Sequence, residues 1–179
     1  MATPSVRSPL PRRTAKVVHL ADHDHRGGAI FLTLCAASRE PLFGWLTGDR
    51  FLPSRLGLLV RESWLNIPVL YPGSGLDVFC LMPDHFHAVL HARPASRVAN
   101  PVLRGTAAWR GGIGTIVNQF KGAVTRAAAI EGIVTPGPLW QRGYFERVIN
   151  DDEMLRNVRT YILSHALRNS LHRGTAARG

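Results

Sequence analysis

His85 and His87 are the residues of this chain best placed to do chemistry. They lie in the run Leu76–Arg93, LDVFCLMPDHFHAVLHAR, which reads as two short strands joined at Pro83-Asp84, residue types that favour a tight turn. Before the turn, Asp77, Phe79 and Leu81 alternate with Val78, Cys80 and Met82. After it, His85, His87, Val89 and His91 share one parity, and Phe86, Ala88, Leu90 and Ala92 share the other. Strand side chains alternate faces, so the two histidines point to the same side, about 7 Å apart at their Cα atoms. Two imidazoles that close on a rigid face can share a divalent metal. Spacing alone leaves a second reading open: two histidines on the polar side of a half-buried strand, with no ligand between them.

Other elements must hold that hairpin. Ala29–Cys35, AIFLTLC, is a strand candidate, and residues 49–65 place Leu52, Leu56, Leu59, Val60 and Trp64 at a helical period, with Pro53 in or before the first turn. A second helix is expected over Ile113–Glu131, with Ile113, Ile116, Val117, Phe120, Val124 and Ala128 on one side and Asn118, Lys121 and Arg126 around the others. A short strand follows within Leu139–Ile149, entered through a turn holding Trp140, Arg142 and Tyr144. Asn150 then reads as the N-cap of a last helix, with Asp151, Asp152 and Glu153 suiting its dipole. That helix carries an apolar stripe of Leu155, Val158, Ile162 and Ala166, and places Tyr161 and His165 one turn apart. The order β-α-β-β-α-β-α implies an α+β fold, a two-layer domain with an antiparallel sheet and helices packed on it.

The chain has 179 residues, which suits one domain, and 22 Lys and Arg against 12 Asp and Glu, a net charge of +10. That excess points to a polyanionic partner, nucleic acid first. Lys121, Arg126, Trp140 and Arg142 are the candidate DNA contacts. Cys35 and Cys80 lie in apolar runs and read as reduced core residues. No apolar run is long enough to span a membrane and the start lacks the apolar core of a secretory signal, so the expected compartment is the cytoplasm. Residues 1–28 are rich in Pro, Gly and Arg and read as a basic, partly disordered arm in which His23 and His25 are solvated; residues 29–170 form the domain, and 171–179 a basic tail.

Pro83-Asp84-His85-Phe86-His87 between two strands, Phe120-Lys121-Gly122 in a helix, Leu139-Trp140-Gln141-Arg142-Gly143-Tyr144, then Tyr161-Ile162 in a final helix together resemble the REP-associated tyrosine transposases, a group of single-tyrosine HUH endonucleases. The likeness covers about residues 28–170. It implies a ferredoxin-like domain that cuts and joins single-stranded DNA at hairpins as a monomer or homodimer, working in the cytoplasm at the nucleoid. It implies that His85 and His87 hold Mg²⁺ or Mn²⁺, and that Tyr161 attacks the backbone to leave a 5′-phosphotyrosyl link and a free 3′-hydroxyl. Tyr144 is the runner-up nucleophile.

That family usually follows its tyrosine with Ile-x-x-Asn-Pro, whereas this chain has Ile162-Leu163-Ser164-His165-Ala166. The family's third metal-binding side chain is an amide four residues after the tyrosine, a position held here by His165. An imidazole at that point makes His165 the candidate third ligand and shifts the expected preference toward Mn²⁺. The opposing reading is a catalytically silent, domesticated relative that grips nucleic acid without cutting it; a pure binder has no need of His85, His87 and Tyr161 together. A metal hydrolase built on a (β/α)₈ barrel is excluded by length, since that fold takes about 250 residues.

Overall fold

The structure is a computed structural model that describes residues 28–38, 40–47, 50–92 and 112–171. The basic arm before Gly28, with His23 and His25, residues 93–111, and the tail after Leu171 lie outside the described residues.

A four-stranded sheet organises the fold, in the order β4-β5-β1-β6. β1 (Ala29–Cys35) is central and pairs antiparallel with β5 (His85–Ala92) on one side and β6 (Phe145–Ile149) on the other, while β4 (Ser74–Leu81) pairs antiparallel with β5. The β1–β4 crossover contains α1 (Arg55–Leu65) and the β5–β6 crossover contains α3 (Ile113–Ile130). Strand order and crossovers together give the ferredoxin-like arrangement. β1 is almost wholly apolar because both of its faces are covered. Ile30, Leu32 and Leu34 pack into a large core with α1 and α3, and Ala29 and Phe31 into a smaller core with α4 (Asp152–Leu171).

The first helix begins later than its periodicity suggests. Leu52 and Pro53 belong to β3 (Arg50–Pro53), which forms a small hairpin with β2 (Gly44–Thr47). Leu52 fits a helical period with Leu56 and Leu59 but is 48% exposed. The boundary is set by Ser54, whose hydroxyl accepts from the Gly57 N–H at 3.0 Å and donates to the Leu42 carbonyl at 2.7 Å. Gly57 itself lies against the Phe43 carbonyl, where a Cβ would collide. A one-turn helix, α2 (Ile67–Leu70), leads into β4. In α3 all six residues of the expected apolar face are buried.

The last helix is capped by Asp151 instead of Asn150: its Oδ1 accepts from the Met154 N–H at 2.7 Å. Ile162 is fully buried, with Met154, Leu155 and Val158 beside it. α4 therefore adds a layer on the sheet face opposite α1 and α3, beyond the two expected. It is also tied down at Arg159, whose Nε and Nη2 donate to Asp77 at 3.0 and 2.6 Å. Among the described residues no helix is long and apolar enough to cross a membrane.

Candidate metal centre and nucleophile

The β4–β5 turn is fixed from three directions before any histidine is considered. The Met82 N–H donates to the His85 carbonyl, the Phe43 N–H to Pro83, and the Ala36 N–H to Asp84, each at 2.8 Å. This holds the first residues of β5 against the end of β1. His85 and His87 point to one side, their ring centroids 4.7 Å apart.

Each ring has one nitrogen engaged. His85 Nδ1 lies 2.7 Å from Asp84 Oδ1, and His87 Nδ1 lies 2.9 Å from Thr33 Oγ1, its partner across the β1–β5 ladder. Such contacts fix ring orientation and leave Nε2 available, the usual support of a metal-ligating histidine. His87 is 5% exposed. Burial, reinforced by the neighbouring His85 and His165, pushes its imidazole down to about 3, so near neutral pH it is uncharged and its lone pair is free to ligate.

His165 completes the group. Its ring lies 5.2 Å from His87 and 6.2 Å from His85, and one nitrogen from each of the three residues falls within 4.8 Å of the others. Three imidazoles able to converge on one point form a donor set suited to a divalent ion with a taste for nitrogen. The Tyr161 ring is 4.6 Å from His165 and 5.5 Å from His87, resting edge-on to Phe31 at 6.0 Å. At 40% exposure its phenol is accessible from solvent.

Tyr144 is elsewhere. It packs against the core of the α1 and α3 face, with its hydroxyl close to Gly114 of α3. Burial, then a hydrogen bond with Glu146, raise its pKa above the ordinary phenol value. A phenol held in that way is a poor nucleophile.

Of the four candidate DNA contacts, the structure corrects one and gives another a local task. Trp140 is only 9% exposed; its ring packs on Phe43 and Phe120 at 5.2 and 5.9 Å, and its Nε1 donates to the Lys121 carbonyl at 3.2 Å. A base cannot stack on a ring buried on both faces, so Trp140 is a core residue. Lys121 is half-buried and donates to the Gln141 and Gly143 carbonyls at 3.1 and 2.5 Å, its ammonium pKa lowered by burial. It fastens the turn before β6 to α3. Arg126 and Arg142 are exposed, as a phosphate contact requires.

Two supporting residues escape a reading by sequence. Thr33 is one, visible only through strand register. Asp77 is the other: a register shift between Leu76 and Phe79 turns it toward α4, where it meets Arg159 and His91, the latter at 2.8 Å. The Arg159 hydrogen bond, aided by His91, holds this carboxyl well below the usual carboxylate range. The only signal in the sequence is an acidic residue inside an otherwise apolar strand.

No family model matches the sequence. The chain is 30% identical over 164 residues to an uncharacterized protein of Haemophilus influenzae, a match covering 87% of this chain and 88% of that one. Among solved structures it is similar to a REP-associated tyrosine transposase bound to a REP hairpin, with 14% identity, 80% of this chain and 68% of the other covered, and a TM-score of 0.56. At that identity the likeness is one of fold.

Proposed function

We propose that this chain, which belongs to the same family as the uncharacterized Haemophilus influenzae protein, is a metal-dependent enzyme of the transposase type that nicks and rejoins single-stranded DNA beside hairpins. The observation that carries this reading is the company of Tyr161: an accessible phenol whose ring lies 4.6 and 5.5 Å from two of three clustered histidines. The fold shared with a transposase that binds a REP hairpin and the net charge of +10 agree with it.

In this chemistry His85, His87 and His165 hold the ion. When bound, Mg²⁺ or Mn²⁺ neutralises phosphate charge and polarises the phosphodiester. Tyr161 loses its phenolic proton and its oxygen bonds to phosphorus. The bond from phosphorus to the upstream 3′-oxygen breaks, that oxygen takes up a proton, and the 5′-phosphate stays on Tyr161. The reverse attack, by a 3′-hydroxyl, rejoins a strand without ATP because the phosphotyrosyl link conserves the bond energy. Thr33 and Asp84 orient the imidazoles, and the Asp77–Arg159 contact sets the tyrosine helix against the histidine hairpin. Arg126 and Arg142 serve as phosphate contacts away from the reacting atoms, and the working form is a monomer or homodimer acting at the nucleoid.

The test is incubation with a panel of single-stranded hairpins in Mg²⁺ or Mn²⁺, followed by denaturing electrophoresis. A covalent protein–DNA band that forms with metal and disappears with chelator is expected. Metal-dependent cleavage without an adduct, or DNA binding with no cleavage across the panel, would overturn the reading.

A further inference from the structure

Beside Tyr161 the sheet and α4 diverge into an open groove of about 580 Å³, lined by Phe31, Phe145 and Arg147 from the sheet and by Glu153, Asn157 and Tyr161 among others from the helix side. Thr33 pairs with His87 on one side and with Phe145 on the other. His87 and Phe145 therefore stand in one row of the sheet, two strands and about 10 Å apart. The next row carries Val89, Phe31 and Arg147. An apolar ring that is 40% exposed thus flanks the histidine cluster at the end of the groove nearest the chemistry, with a guanidinium one row away.

We propose that this groove is a subsite for the nucleotide next to the scissile phosphate, which stacks its base on Phe145 and directs its backbone phosphate to Arg147. The subsite rests on the single-strand cleavage reading. The volume lies within the range of small-ligand sites, about 300–1,000 Å³. Aromatic rings bind single strands through base faces, which duplex DNA keeps stacked away. Phe145 satisfies what Trp140 cannot, because it leaves a large part of its ring open. Phe31 meets it edge-on at 6.0 Å and stacks on His87 at 5.6 Å, so the platform is braced against the metal ligands. Asn157, Asp151 and Glu153 line the opposite, helix side of the groove.

The test uses a DNA hairpin with a single-stranded foot, bound in the presence of chelator so that cleavage plays no part. 2-Aminopurine is stepped through the foot, and an abasic site is stepped through a second series. In the wild type, one position is expected to show strong quenching, and an abasic site at that position to weaken binding about tenfold. Phe145→Ala should lose both effects, Phe145→Trp should keep them, and Arg147→Gln should weaken binding while leaving the quenching in place. Phe145→Leu, which preserves apolar packing without a ring, stands in for alanine if thermal melts show a folding defect. Tight binding of the foot with no position showing both effects, or with both intact in Phe145→Ala, overturns the subsite and leaves the cleavage reading standing. If the wild type binds none of these oligonucleotides, the cleavage reading falls and the subsite falls with it.

Discussion

On the face that meets α1 and α3, β1 and β5 present Ile30, Leu32, Leu34, Phe86, Ala88 and Leu90, none more than 4% exposed. On the face that meets α4, the intervening positions include Phe31, Thr33, His85 and His87, and the apolar cluster is small. The same two strands supply both sets, one residue out of phase. A large apolar core on one side supplies the burial that keeps the sheet rigid. The other side can then hold polar groups close together, including a histidine kept uncharged by burial. A one-residue slip of β5 in register would send the imidazoles into the core and Phe86 and Leu90 out.

Substitutions on the two faces should separate stability from activity. The largest expected effect is on the α4 face: Tyr161→Phe removes one oxygen and should abolish the covalent adduct while binding of hairpin DNA, followed by gel shift, stays near wild type. If the variant still forms the adduct and Tyr144→Phe does not, the nucleophile belongs to the other face and the contrast fails. Next is Phe120→Ala on the α3 side. This ring is 4% exposed and meets Trp64, Phe86 and Trp140, so its loss should cost about 3–5 kcal/mol in urea unfolding, whereas Tyr161→Phe should barely move the midpoint. Equal losses for the two would mean that α4 carries as much of the fold as α3.

His165→Asn tests the chemical face more finely. Replacing a nitrogen ligand with an amide should move the Mg²⁺-to-Mn²⁺ activity ratio toward Mg²⁺ by on the order of tenfold, with little change in melting temperature. An unchanged ratio, with unchanged metal affinity by calorimetry, would remove His165 from the site. The smallest effect concerns how α4 is held. Asp77 has a folded-state pKa below its unfolded value, so the unfolded chain takes up this proton more readily. The stability it supplies is therefore complete above the ordinary carboxylate pKa; it begins to fall below about pH 4 and is lost only as pH drops to the depressed folded-state value. Asp77→Asn should melt below wild type at pH 7, by less than Phe120→Ala, and the gap should close in acid. A gap that does not narrow at all between about pH 5 and about pH 2 would assign the effect to shape instead of charge.

The stable face was easier to read than the chemical one. Periodicity alone marks the six buried residues of α3, and parity alone separates Phe86 and Leu90 from His85 and His87, because repeating patterns are local. What local patterns miss is a role that depends on a distant partner. Trp140 beside Arg142 looks like a surface aromatic until Phe43 and Phe120 close over it. Lys121 looks solvated until the turn at Gln141–Gly143 folds back onto its amine. Leu52 mimics a helical position because three spaced leucines cannot announce a two-stranded hairpin. Thr33, Asp77 and the Phe145 groove have no signature at all; they arise from strand register and from the way α4 crosses the sheet.

The larger core contains no residue of α4 among those described, and α4 is the last described element of the chain. During synthesis, then, the histidine hairpin and its supporting core leave the ribosome before the phenol that would use them. Under the proposed chemistry a nascent or C-terminally truncated chain has His85 and His87 but neither Tyr161 nor His165. It is unarmed toward DNA until α4 has been made and has docked.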